Sequence, residues 1–314
     1  MQRRITITLI CLIPHLLLTT VLGQLTEGDE RFIRALMAEN KIPGVSIAVV
    51  LDNEIQYARG FGVKNSQTQE EVSTETLFQA ASISKSVASI LYLRNIQEGI
   101  VALDSLINSY LQTWKLSGYK KEAYSSATVR QLLSHTGGVN RGGFLGYSKI
   151  RKRIPTLDQV LQGKHVHFWE TRIKSKYPPN EAFRYAGGGY CVLEKALCEV
   201  QEESFDQLAQ TYVFKPCQME NSFYSYSLTQ SQEMNASKGH KKNGKLIKGT
   251  YHVYPQMAAA GLWTTPSDLA KFLIEIQNSF KEKSPDPLLS KEARTELLAF
   301  PQFTNDQPTL APNN

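Results

Sequence analysis

Phe78-Gln79-Ala80-Ala81-Ser82-Ile83-Ser84-Lys85-Ser86-Val87 is the stretch that decides how this chain is read. Small residues lead in, and Ile83, Val87, Ile90 and Leu91 follow at helical spacing until Gly99. Positions i and i+3 share a helix face, so the Lys85 ammonium can reach back to the Ser82 hydroxyl. That hydroxyl falls at a helix N-terminus, where unpaired N–H groups favour developing negative charge. Serine is a weak nucleophile until a base takes its proton. A lysine desolvated in a cleft can be that base, or can tune a neighbouring phenol. Ser-x-x-Lys alone more commonly describes a serine N-cap with a solvated lysine, so the rest of the chain must decide.

With 314 residues, 41% hydrophobic and 20% charged, the chain can bury a large core as one big domain or two subdomains. The net charge is +6, and the sequence reads as having no basic stripe with interleaved aromatics, so nucleic acid is not an expected partner. Residues 1–23 read as a secretory signal peptide: Arg3 and Arg4, the apolar run Ile5 to Leu18, and the exit Val21-Leu22-Gly23. Cleavage near Gly23 predicts a secreted or periplasmic chain of net charge +4 with no stable membrane span. An uncleaved anchor is the alternative, and a third reading, an envelope-anchored structural protein, needs Ile5 to Leu22 to be retained. Three cysteines remain after the signal, Cys191, Cys198 and Cys217, without metal-ligand spacing. Cys191 and Cys198 share a predicted helix, which favours core packing; a disulfide to Cys217 stays open.

Leu25 to Asn40 has amphipathic helical spacing, and Val45 to Leu51 and Ile55 to Val63 read as a hairpin turning at Asp52-Asn53. Thr128 to Leu133 is a short helix ending at Ser134-His135-Thr136-Gly137-Gly138. His135 is a general base by residue type, but a histidine before two glycines at a helix end more often braces a loop. Tyr185 precedes Gly187-Gly188-Gly189, which open a helix over Cys191 to Val200 and allow close backbone approach. Lys238 to Lys248 surrounds Asn243-Gly244 and reads as a solvated hairpin tip. Thr265-Pro266-Ser267-Asp268 starts a helix with a capping box, running to about Phe280, and Ser290 to Leu298 forms another.

Four landmarks therefore stand in order: Ser82-x-x-Lys85, Leu132-Leu133-Ser134-His135-Thr136-Gly137-Gly138, Tyr185-x-Gly187, and Ala260-Gly261-Leu262-Trp263-Thr264-Thr265-Pro266-Ser267-Asp268-Leu269. Together they resemble the serine β-lactamase and penicillin-binding-protein family, nearest its class C-like and esterase-like branch. The resemblance implies an α/β (α+β) fold, an antiparallel sheet with flanking helices plus a helical subdomain, over residues 24–300, with 301–314 an irregular tail. It implies a serine hydrolase working through an acyl-serine on a small-molecule acyl substrate, with no metal or cofactor. Ser82 would be the nucleophile, Lys85 its activator, Tyr185 the base and later acid, and Gly187 a substrate-binding position. The family commonly carries Asn where Gly187 stands, which leaves ester hydrolysis at least as plausible as β-lactam or peptide cleavage. Its Lys/His-Thr/Gly-Gly strand, which supplies a second oxyanion N–H, finds no match between Thr265 and Asn314. The sheet is therefore expected to be incomplete, and a catalytically inactive fragment or binding module is the rival reading.

Overall fold

The computed structural model describes residues 25–120, 122–281 and 286–301; the expected signal peptide and residues 302–314 lie outside them. Thr26 begins helix α1 (Glu27–Asn40): its hydroxyl oxygen accepts the Asp29 N–H while the Asp29 carboxylate accepts the Thr26 N–H. Strands β1 (Gly44–Leu51) and β2 (Glu54–Gly62) pair antiparallel across Asp52-Asn53. Both turn residues have positive φ, as a two-residue hairpin requires. Val45, Ile47, Tyr57 and Phe61 of this hairpin pack with Ile33 and Met37 of α1.

Strand β3 (Phe78–Gln79) runs through a 3-10 turn (Ala81–Ile83) into α2 (Ser84–Gln97). Helices α3 (Val129–Leu133) and α4 (Leu157–Gln162) flank β4 (Tyr147–Ser148), each started by a reciprocal Thr/Gln cap. There follow α5 (Gly187–Gln201), α6 (Phe205–Ala209), β5 (Phe223–Tyr224), α7 (Gln230–Asn235) and β6 (His252–Val253). The described chain continues through α8 (Met257–Ala260), β7 (Leu262–Thr264), α9 (Pro266–Lys281) and α10 (Lys291–Leu298). The fold is the mixed, antiparallel α/β arrangement expected, with α9 packed on the β1–β2 hairpin.

Helix α2 runs through the main core with Val87, Ala88, Ile90, Leu91, Tyr92 and Leu93 all buried, so it shows no polar stripe. Two of its buried polar side chains are paired within the protein: Asn95 donates to the Leu91 carbonyl and accepts from Gln201, and the Tyr92 hydroxyl donates to the Leu193 carbonyl. Strands β3, β7 and β5 form a small antiparallel sheet in that order, and β4 pairs with β6. Sequence alternation could not reveal these, because strands of two or three residues hold less than two periods.

Two local expectations are revised. Thr265 does accept the Asp268 N–H at 3.1 Å, but the Asp268 carboxylate accepts from the Asn221 N–H and the Ser222 hydroxyl, so the capping box is only half made. The lysine-rich tip turns at Gly244 (φ +79) but is closed by a single bridge, His240 to Leu246, rather than by strands. The three cysteines are free thiols, Cys191 and Cys217 buried and Cys198 half-buried.

Phe61 is 1% exposed at the centre of the α1–hairpin contact. Phe61→Ala should lower the unfolding free energy by about 3–5 kcal/mol, read as a lower urea midpoint at unchanged slope. A loss below about 1 kcal/mol would show that this contact collapses around the cavity.

Candidate active site

The nucleophile candidate is set in a braced turn. Ala81, just before Ser82, has φ +44, a left-handed backbone that an L-residue adopts at about 1–2 kcal/mol. Three hydrogen bonds hold that turn against β7 and β5, and a fourth closes it internally. The Ala80 N–H donates to the Leu262 carbonyl (2.9 Å), and the Leu262 N–H donates to Ser84 Oγ (3.0 Å). The Ser84 hydroxyl donates to the Ala81 carbonyl (2.5 Å), and the Tyr224 hydroxyl to the Ser84 carbonyl (2.6 Å). Ser84 is fully buried, while Ser82, two residues earlier, is exposed at the surface of the cleft.

Lys85, 5% exposed, donates from Nζ to Ser82 Oγ at 3.0 Å and to the Ala259 carbonyl at 2.7 Å. Its ammonium stands 5.0 Å from the Tyr185 ring centroid and 5.9 Å from that of Tyr190. Ser82, Lys85 and Tyr185 are thus brought together from a turn, a helix and an extended strap 100 to 103 positions away. Tyr190 is tied back by Ser89 Oγ (2.7 Å) and the Leu133 carbonyl (3.0 Å), whereas Tyr185 remains 39% exposed.

His135 lies at the edge of this group. Its ring packs on Tyr185 at 4.5 Å and on Tyr190 at 5.3 Å between centroids. Its Nδ1 accepts the Ala186 N–H at 3.1 Å, and its carbonyl accepts the Arg184 N–H at 2.8 Å. Burial, and secondarily the Lys85 charge, pull its pKa down to about 4. At neutral pH the ring is therefore uncharged, with Nδ1 as acceptor and the proton on Nε2. The geometry makes it a brace for the strap that carries Tyr185.

Gly187 is buried and does not face open space: its N–H donates to the Gly142 carbonyl at 2.8 Å. A Cβ there would stand 2.9 Å from that carbonyl and 3.2 Å from the Phe144 ring, so the loop around 140–144 fills the place of a side chain.

Sequence reasoning missed the support beneath Lys85. Glu194, buried on α5, accepts the Ala258 N–H at 2.9 Å and so anchors the short helix α8 that offers the Ala259 carbonyl to Lys85. Burial raises the Glu194 pKa to about 8, against the lowering effect of the Ala258 and Met257 N–H groups. The signal was present only as one acid among the apolar residues Val192, Leu193, Ala196 and Leu197. Among the described residues, no cluster of three metal-ligating side chains occurs. A cavity of about 680 Å³ lies beyond His135, lined by Asp104, Arg130, Phe183, Glu296 and Phe300 among others, but Ser82, Lys85 and Tyr185 do not line it.

The Beta-lactamase family profile matches residues 30–311, and the chain belongs to that family. It is 25% identical in sequence to the octameric penicillin-binding protein homologue from Pyrococcus abyssi, with a TM-score of 0.65 over 84% of this chain and 58% of that one. Protein flp of Staphylococcus aureus (strain MW2) is 23% identical over 233 residues, 74% of this chain and 43% of that protein. Penicillin-binding protein 4 of Amycolatopsis lactamdurans is 25% identical over 193 residues, 60% of this chain and 46% of its own length. The chain thus spans less than half the length of these curated relatives.

The two shifted groups pull stability in opposite directions. Glu194 has its folded pKa raised from 4.5 to about 8, so its contribution is full below pH 4.5 and is lost as pH rises through 8. His135 is depressed from 6.5 to about 4, so its contribution is full above pH 6.5 and is lost as pH falls towards 4. Between pH 6.5 and 8 only the Glu194 slope should remain of the two, and Glu194→Gln should flatten the melting temperature there by about 3 °C or more. Parallel profiles for wild type and variant in differential scanning calorimetry would remove Glu194 as the source.

Proposed function

We propose that this protein is a secreted serine hydrolase acting through an acyl-serine intermediate, with Ser82 as nucleophile. The observation that carries the reading is the 3.0 Å contact from a buried Lys85 Nζ to Ser82 Oγ, in a chain of the Beta-lactamase family. The Lys85 ammonium stabilises the developing Ser82 alkoxide. Tyr185, whose ring lies beside that cation, is assigned the role of accepting the Ser82 proton. Oγ then bonds to the acyl carbon, the carbon–leaving-group bond breaks, and Tyr185 returns the proton to the departing oxygen or nitrogen. Water reverses the sequence to free Ser82. The Ser82 N–H, in the 3-10 turn that leads into α2, supplies one oxyanion donor. Because Gly187 offers no amide-binding side chain, ester or other loosely held acyl substrates fit this cleft better than β-lactams or peptides.

Two covalent probes test the chemistry, an activated ester and a labelled penicillin, followed by peptide mapping. Ser82 should be the labelled residue, with Ser84, Ser86 and Ser89 unmodified, and the ester should label faster. Ser82→Ala should abolish labelling. Lys85→Ala and Tyr185→Phe should slow it by about a hundredfold or more, and far more than His135→Ala does. Unchanged labelling of Ser82→Ala would remove this residue from the mechanism.

Secretion rests on Arg3, Arg4 and the apolar run that follows. Intact-mass analysis of exported protein should find Gln24, or its cyclised form, at the N-terminus. A membrane fraction retaining Met1 or Gln2 would favour the anchored form.

A further inference from the structure

Whole-chain charge hides a strong local asymmetry. Residues 141–176 hold nine of the 35 Lys and Arg but only two of the 29 Asp and Glu. Both acids are engaged: Asp158 pairs with Lys195, and Glu170 accepts the Tyr147 hydroxyl. The remaining chain therefore carries almost no net charge, and the positive excess belongs to this segment. The sequence reading overlooked it because its aromatics cluster beyond the basic run instead of alternating with it.

The same segment exposes an apolar crest. Phe168 is 95% exposed and Trp169 49%, and Leu145 and Ile150 are exposed nearby. The crest is built rather than loose. Tyr147, His167 and Trp169 form a stack with centroids 4.7 and 4.6 Å apart, and Phe168 stands edge-on to Trp169. The Arg151 guanidinium lies over Tyr147 and donates to the His165 and Val166 carbonyls, joining the two loops. His167 Nε2 lies 3.0 Å from the Gly146 carbonyl. Exposed Lys152, Arg153, Lys164 and Arg172 stand within four residues in sequence of these contacts.

Exposed aromatic and branched aliphatic side chains on loops that also carry exposed cations fit the interfacial layer of a bilayer, where Trp is favoured and basic residues are drawn to anionic headgroups. We propose that the paired loops 141–153 and 163–172 dock peripherally on an anionic lipid surface, with Phe168 and Trp169 entering the headgroup layer. Aliphatic Leu145 and Ile150 favour lipid over nucleic acid, since they offer bases nothing to stack upon. No helix among the described residues is long and apolar enough to span a membrane, so the contact is peripheral. The docking loop is continuous with the cleft wall, because the Gly142 carbonyl accepts the Gly187 N–H and Phe144 packs at Gly187. Docking would therefore set the mouth of the cleft at the lipid surface, although it does not depend on the hydrolase reading.

The full chain can be tested with phosphatidylcholine vesicles, with and without phosphatidylglycerol, using brominated acyl chains as quenchers of tryptophan emission. Quenching should appear with the anionic vesicles, fall as salt is raised, and be lost in Trp169→Phe, which makes the readout local to this loop. Phe168→Ser with Trp169→Ser should weaken vesicle binding about tenfold, and Arg153→Ser with Lys164→Ser about thirtyfold. Unchanged melting curves would confirm that the variants are folded. Absence of Trp169-dependent quenching, or binding that both double variants leave intact, would overturn the proposal. So would salt-sensitive binding to a mixed-sequence RNA in preference to the vesicles.

Discussion

The structure depends on keeping the Lys85 ammonium out of water. A buried charge without partners costs several kcal/mol, so every element around it must supply compensation. Lys85 finds Ser82 Oγ in its own turn, the Ala259 carbonyl on α8, and the faces of Tyr185 and Tyr190 around the start of α5. All of these partners but Ser82 come from distant parts of the chain, so the lysine is fully satisfied only when they have docked. The group that would activate Ser82 is therefore also a checkpoint on assembly of the fold.

Helix α8 shows how this is arranged physically. It is a single turn of four residues, far too short to be stable as an isolated helix. Glu194 accepts an N–H at its beginning, and Lys85 donates to a carbonyl near its end. Whatever fraction of Glu194 is ionised complements the positive end of the helix, and Lys85 complements the negative end. Ala258, Ala259 and Ala260 allow close packing against α2 and α5 without adding polar groups that would need partners. The small-residue stretch is thus a bridge between two buried ionisable groups.

The sequence made the local half of this legible. Thr26 with Asp29, the Asp52-Asn53 turn and the apolar spacing after Ser82 act over a few residues, and their elements stand where the spacing puts them. Ser82 and Lys85 were readable because an i to i+3 pair is fixed by helix geometry alone. Tyr185 required the family resemblance, since nothing in its neighbours announces a cleft. Glu194 and Ala259 were illegible for a different reason: their link to Lys85 crosses the sequence by 109 and 174 positions. The two- and three-residue strands failed on length. Asp268 failed because tertiary donors at Asn221 and Ser222 outcompeted the local cap.

The run Gly187-Gly188-Gly189 ties the site to its surroundings. A Cβ at Gly188 would lie 2.4 Å from the Asn140 carbonyl, closer than real side chains come, so the bare backbone is what admits the 140–144 loop. That loop brings Phe144 against Gly187, and its continuation carries exposed Leu145. One substitution pattern therefore does two things at once. It removes the side chain that could hydrogen-bond an amide, and it sets an aromatic ring in the space that side chain would need. A wall of this kind discriminates by shape and apolar contact, each methylene counting for about 0.8 kcal/mol, rather than by paired polar groups. On the hydrolase reading proposed above, an acyl group would be selected by how its hydrocarbon fits this wall, with Ser82 and Lys85 indifferent to what lies beyond the carbonyl.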